Sequence, residues 1–145
     1  YKIHFSEIPG IKAGNDIVKN GVTISNSELT VTPPSPRSYA YCSDTKYYES
    51  IIGKIKGIDL LYHEATFDMQ KEVRAKETNH STAGQAARIA QKAQVKQLVI
   101  GHYSARYHDL NILLDEAKQV FENTRLAIEG ETYPVVENEV IKITT

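Results

Sequence analysis

Ile58-Asp59-Leu60-Leu61-Tyr62-His63-Glu64-Ala65-Thr66 decides the fold class of this chain. Ile58 to Tyr62 is short and almost continuously apolar, which predicts a strand in a sheet covered by helices. It stops at the polar cluster His63-Glu64-Ala65-Thr66. The same texture recurs on either side. Tyr39 to Ser43 predicts a strand that stops at Asp44-Thr45, and Gln97 to Ile100 predicts one that stops at Gly101-His102. Helical stretches alternate with these strands. Tyr47 to Lys56 is read as a helix ending at Gly57, a left-handed C-cap. Phe67 to Glu77 is polar and helical. Thr82 to Ala93 opens with the capping box Thr82–Gln85 and carries Ala83, Ala86, Ala87 and Ala90 at the i, i+3, i+4, i+7 spacing of one helix face. Asp109 to Phe121 places Leu110, Leu113, Leu114, Ala117 and Phe121 on one face. Strand and helix thus alternate from residue 38 to residue 121, which predicts an α/β layer. Val135-Val136 and Val140 to Ile143 are expected as short closing strands.

Upstream the pattern differs. Lys2 to Ser6 alternates and predicts a strand. Pro9-Gly10 and Ala13-Gly14-Asn15-Asp16 predict turns. Val22-Thr23-Ile24 and Leu29-Thr30-Val31 predict two short strands. Pro33-Pro34-Ser35-Pro36-Arg37 predicts a loop, because proline removes a backbone donor and fixes φ. The chain opens Tyr1-Lys2-Ile3-His4-Phe5-Ser6 without an initiator methionine, so a piece of something longer is expected.

Composition bounds the function. The 145 residues are 41% hydrophobic and 24% charged, an ordinary globular balance for a single domain with a real core. No run of about 18 apolar residues occurs, so no membrane span is expected. Seventeen Lys+Arg against eighteen Asp+Glu give a net charge of -1, which excludes a polycationic surface and argues against strong RNA binding by this segment alone. The single cysteine, Cys42, excludes an internal disulfide framework and a zinc ribbon, and suits a reducing, cytoplasmic setting. Cys42 lies inside an apolar strand and is read as packing rather than nucleophile.

The chemistry collects where the strands stop. In parallel α/β sheets, sites form at the carboxyl ends of strands. Asp44, the pair His63-Glu64, and His102 follow three successive strands, the placement that a metal or acid–base site needs. Asp44 reads equally as a turn or N-cap aspartate and as a carboxylate bridging two cations. His102 reads as a buried core histidine or a terminal metal ligand, with Gly101 letting backbone approach closely. His80 precedes Ser81-Thr82 at a helix start, where free N–H groups favour an anion. His80-Ser81-Thr82 is therefore a candidate phosphate cradle, with Glu64 as the carboxylate that recharges His80, against plain capping beside an exposed histidine. Arg106 either reaches a phosphate bidentately or is a surface arginine. His63 is expected to be buried and hydrogen-bonded rather than a ligand.

Together these pieces resemble the ribonuclease Z family. Tyr41-Cys42-Ser43-Asp44-Thr45 is similar to that family's strand followed by Ser/Gly-Asp-Thr. His63-Glu64-Ala65-Thr66 resembles its HEAT motif, and His80-Ser81-Thr82 its HST loop. Gly101-His102-Tyr103-Ser104-Ala105-Arg106-Tyr107 resembles its His-Phe/Ile-Ser-x-Arg-Tyr stretch. The resemblance covers residues 38 to 109. It implies a metallo-β-lactamase αββα sandwich and a zinc-dependent endoribonuclease that removes 3′ trailers from precursor tRNA, usually as a homodimer. It implies Asp44 as bridging metal ligand and His102 as terminal ligand. It implies His80 assisting the leaving group with Glu64 as partner, and Ser81, Thr82 and Arg106 near the scissile phosphate.

The family's main metal motif, His-x-His-x-Asp-His, is absent: no two histidines here are separated by one residue. A glycine- and proline-rich tRNA-binding arm is not identified either. Residues 1–145 are therefore expected to be the carboxyl-terminal half of such a domain, a mixed sheet with helices on one face, whose amino-terminal half is a missing partner. Asp44 and His102 alone are too few to hold catalytic zinc well, so the isolated chain is expected to be inactive and to bind metal weakly or not at all. Its bare sheet face should drive dimerisation, retention of the other half, or aggregation. Two other functions share these features: a hydrolase of small phosphodiesters or sulfate esters on the same fold, and a non-catalytic RNA-binding module.

Overall fold

The computed structural model describes residues 1–31, 33 and 36–135. It divides into two compact units, Tyr1–Pro36 and Arg37–Thr145.

The first unit is a small helix–hairpin arrangement. A 3₁₀ turn, Phe5–Glu7, runs into α1 (Ile8–Lys12). The strand expected at Lys2 to Ser6 and the turn at Pro9-Gly10 do not form. Glu7 Oε2 accepts the His4 backbone N–H at 2.7 Å and His4 Nδ1 takes the Ser6 N–H, a local box that starts helical structure. Pro9 then sits in the first turn of α1, where its missing N–H costs nothing. Strands β1 (Ile17–Lys19) and β2 (Val22–Ile24) pair antiparallel in the register Ile17↔Ile24. Asn20 and Gly21 connect them with φ of 52° and 77°, the left-handed pair of a two-residue hairpin turn. Leu29 ends α2 (Asn26–Leu29) instead of starting a strand, because Ser25 caps that turn by accepting the Ser27 N–H. Ile11, Ile17 and Ile24 form the core, with Ile3 and Leu29 against it.

The second unit is a parallel sheet in the order β3 (Tyr39–Cys42), β4 (Leu60–Glu64), β5 (Gln97–Gly101), β6 (Thr124–Leu126). Parallel and antiparallel pairing thus occur in separate sheets. The expected helix over Tyr47–Lys56 contracts to a 3₁₀ turn, Glu49–Ile51, followed by turns. Gly53 weakens a continuous helix there, and three-residue bonds such as Lys54 N–H to Ile51 O close the segment. Gly57 has φ +71°, the expected left-handed stop. Between β4 and β5 lie a 3₁₀ turn (Met69–Lys71), α3 (Glu72–Glu77) and α4 (Ala83–Ala93); α5 (Asn111–Val120) connects β5 to β6.

The capping box forms as expected: Thr82 Oγ1 accepts the Gln85 N–H at 3.2 Å and Gln85 Oε1 accepts the Thr82 N–H at 3.1 Å. The α4 alanines are fully buried and let the helix lie close against α5, β4 and β5. Leu61, Leu98 and Ile100 of the sheet join Ile89 and Leu113 in this core. On the opposite face, Leu60, Tyr62 and Val99 border a cavity of about 350 Å³ with Tyr133 and Val135. At the starting edge of the sheet Asp59 accepts from Ser38 N (2.7 Å), Ser38 Oγ (2.8 Å) and Lys96 Nζ (2.6 Å), pinning the beginnings of β3, β4 and β5. The strands expected at Val135-Val136 and Val140 to Ile143 reach outside the described residues, as does part of the proline-rich stretch 33–37.

Candidate metal and acid–base site

Parallel register brings the ends of β3, β4 and β5 side by side: Cys42 pairs with His63, and Glu64 with Gly101. Asp44, Glu64 and His102 therefore emerge at one edge. The segment after β4 reaches the loop before α4 through an isolated bridge, Phe67↔Thr82. That bridge brings His80 to the same place.

Glu64 is fully buried and takes four hydrogen bonds. Its Oε1 accepts from Thr45 N at 2.6 Å and His80 Nδ1 at 2.9 Å. Its Oε2 accepts from Thr66 Oγ1 at 2.6 Å and Ser81 N at 3.0 Å. Four donors are the full complement of a carboxylate. The Glu64–His80 pairing expected from the sequence is present as a contact.

On the solvent side, His102 Nε2 lies 3.2 Å from Asp44 Oδ1, and the Asp44 side chain is 71% exposed. The His80 and His102 ring centroids are 5.2 Å apart. Ligand atoms of Asp44, His80 and His102 all lie within 4.8 Å of one another. One carboxylate and two imidazoles are zinc-type donors, and tetrahedral bonds of about 2 Å put ligand atoms about 3.3 Å apart, close to the 3.2 Å between His102 Nε2 and Asp44 Oδ1. The residues present fit a divalent metal. Backbone geometry is unusual here. Asp44, Asn79 and His102 have φ of 51°, 58° and 60°, left-handed conformations that cost a non-glycine residue about 1 kcal/mol and gather at functional sites.

The Ser81 and Thr82 hydroxyls do not face an open surface. Both residues are fully buried. Ser81 Oγ donates to Thr45 O at 2.7 Å, and Thr82 Oγ1 serves the α4 cap. As placed, they hold the loop rather than offer groups to an external phosphate. Arg106 is exposed, with no side-chain ion pair among the described residues. His63 is buried as expected; its Nδ1–H donates to Glu64 O at 2.7 Å, and burial pushes its pKa down. Burial raises the Cys42 thiol, away from nucleophilic thiolate. Gly101 does permit a close approach, but by a side chain: a Cβ there would meet Tyr62 ring carbons at 2.8 Å. Tyr62 stacks on Tyr41 at 4.5 Å, and burial lifts its pKa to about 12.

Sequence reasoning gave no role to Thr45 or Thr66. Thr45 supplies a backbone donor, which no side-chain pattern reveals. Thr66 follows Glu64 by two residues just past the strand end, and its signals were that spacing and its place in the His63-Glu64-Ala65-Thr66 motif.

A family model described as beta-lactamase superfamily domain matches residues 14–103. The chain belongs to the beta-lactamase superfamily. The superfamily match contains Asp44, Glu64, His80 and His102; Arg106 lies beyond it. Among curated relatives of this beta-lactamase superfamily chain, Ribonuclease Z of Bacteroides thetaiotaomicron is 55% identical over 131 residues, 90% of this chain and 42% of that protein. Ribonuclease Z of Phocaeicola vulgatus is 53% identical over 89% of this chain and 42% of that protein. The chain thus spans about two fifths of the length of these relatives. Among solved structures, the metallo-beta-lactamase fold protein YhfI from Bacillus subtilis aligns with a TM-score of 0.58 and 27% identity, over 63% of this chain and 37% of that one.

Proposed function

We propose that this chain is the carboxyl-terminal half of a zinc-dependent endoribonuclease that removes 3′ trailers from precursor tRNA, acting as a homodimer in the cytoplasm. One observation carries the proposal: a fully buried Glu64 grips His80 at 2.9 Å while His80 faces the Asp44–His102 pair. The names of the relatives, all similar to this chain over nearly its whole length, support the substrate.

Asp44 and His102 would hold the metal. Zinc, when bound, brings the pKa of water near neutrality and offsets negative charge on a phosphoryl group. His80 donates its Nδ1–H to Glu64 Oε1, so the carboxylate orients the ring and stabilises it when charged. As a water oxygen bonds to phosphorus and the bond from phosphorus to the ribose 3′ oxygen breaks, the far nitrogen of that ring protonates the departing 3′ oxygen, leaving a 3′-hydroxyl on the tRNA and a 5′-phosphate on the trailer. Ser81 and Thr82 fix the loop that carries His80. Arg106 contacts a phosphate of the substrate.

The test is a zinc-titrated cleavage assay on 3′-extended precursor tRNA. It compares the longest natural chain containing this segment, its Asp44→Ala variant, and residues 1–145 alone. Cleavage at the tRNA 3′ boundary by the first and neither of the others is expected. Zinc binding with intact tRNA would instead assign a small phosphodiester or sulfate ester as substrate. RNA binding without zinc or cleavage would make the protein a binding module.

A further inference from the structure

We infer that Thr66 is a positioning residue: it holds His102 in the tautomer whose Nε2 is bare and aimed at Asp44, and ties that ring to Glu64. Thr66 is 7% exposed, and its Oγ1 lies 2.6 Å from Glu64 Oε2, 2.9 Å from His102 Nδ1 and 3.0 Å from His102 O. A hydroxyl has one proton to give and two lone pairs to receive with. The carboxylate is the strongest of these acceptors and makes the shortest contact, so it takes the proton. Oγ1 then faces His102 Nδ1 as an acceptor. The 2.9 Å contact is satisfied only if Nδ1 carries a hydrogen. In the neutral ring that leaves Nε2 as a lone pair, 3.2 Å from Asp44 Oδ1. A bare imidazole nitrogen is the form that binds a cation, and the partner of the other nitrogen selects it.

The hydroxyl is well placed for this task. Thr66 is β-branched and stiff at χ1. Its backbone O accepts the Ser104 N–H at 3.1 Å, and Ala65 N donates to Gly101 O at 2.8 Å, so the segments carrying Thr66 and His102 are bolted together on both sides of the pair. One side chain thereby joins the two halves of the site, Glu64–His80 and His102–Asp44.

The inference rests on reading Asp44 and His102 as metal ligands, but the tautomer is measured without metal. In the longest natural chain containing this segment, labelled with ¹⁵N-histidine and metal-free at alkaline pH, long-range ¹H–¹⁵N spectra report which His102 nitrogen is protonated. Nδ1–H is expected in the natural protein and in Thr66→Ser. Thr66→Val, similar in size, should lose that preference and bind Zn²⁺ ~10–100-fold more weakly, with Thr66→Ser restoring affinity. An Nε2–H tautomer in the natural protein overturns the inference. So does an unchanged tautomer and zinc affinity in a folded Thr66→Val. If Thr66→Val does not fold, the natural protein and Thr66→Ser decide it. An Nδ1–H tautomer in a chain that binds no Zn²⁺ upholds the role of Thr66 and removes the metal reading instead.

Discussion

His80 is the residue on which two chemical roles meet. Its Nδ1 is committed to Glu64, yet its ring also stands among the candidate metal donors Asp44 and His102. The roles separate on substitution. As a general acid, His80→Ala should lower kcat by ~10²–10⁴ while zinc content, measured by metal analysis of the purified long chain, stays unchanged. A protein that loses its zinc with His80 makes that imidazole a ligand. At this scale the sequence was informative about residue types: Asp44, Glu64, His80 and His102 were each legible as polar residues where a strand or loop ends. It was silent on the burial of Ser81 and Thr82. Their partners, Thr45 O for Ser81 Oγ and the Gln85 N–H for Thr82 Oγ1, lie inside the fold, where the Phe67↔Thr82 bridge ties the loop to the segment after β4.

Among the elements, α4 carries the most consequence for the site, because its N-terminus supports the loop that presents His80. Beyond the Thr82–Gln85 box, that end is held by Glu116 of α5. Its two carboxylate oxygens accept Gly84 N at 2.6 Å and Met69 N at 2.8 Å. The carboxylate meets the positive end of the α4 dipole and satisfies donors no helix satisfies by itself. Glu116→Ala should cost about 2 kcal/mol, read as a lower denaturation midpoint with an unchanged slope, whereas Glu116→Gln should recover part of the loss. The α4 alanine spacing and cap were legible because both are local. Glu116 was not, since its partners lie 32 and 47 residues away. Element boundaries failed where a local hydrogen bond outweighed the hydrophobic pattern, as at His4–Glu7 and Ser25. The strand Ile17–Lys19 was missed although Asn20-Gly21 is a strong hairpin signal.

At the scale of the molecule, acid should destabilise the second unit over two separate pH ranges, because two groups in or beside β4 shift in the same sense. Burial holds His63 below its ordinary 6.5. The unfolded chain therefore takes up that proton first. Stability is full above about pH 6.5 and declines as pH falls toward the folded pKa. Hydrogen bonds from Lys96 and Ser38 hold Asp59 down to about 2 from 3.8. Its contribution is complete above 3.8 and lost as pH falls to about 2. Urea titrations across this range should show both declines. His63→Leu should flatten the upper one and Asp59→Asn the lower, each leaving the other in place.

The sequence by itself determined the α/β class, the helices over residues 83–93 and 111–120, and the identity of the chemical groups at the strand ends. These depend on short-range pattern: apolar period, caps, and polar residues where an apolar run stops. Apart from the Glu64–His80 pairing, tertiary structure decided which groups meet. The four donors to Glu64 come from positions 45, 66, 80 and 81. Their convergence follows from the β3–β4–β5 register and the Phe67↔Thr82 bridge. A buried carboxylate must find donors wherever the fold provides them, and that demand is met across space rather than along the chain.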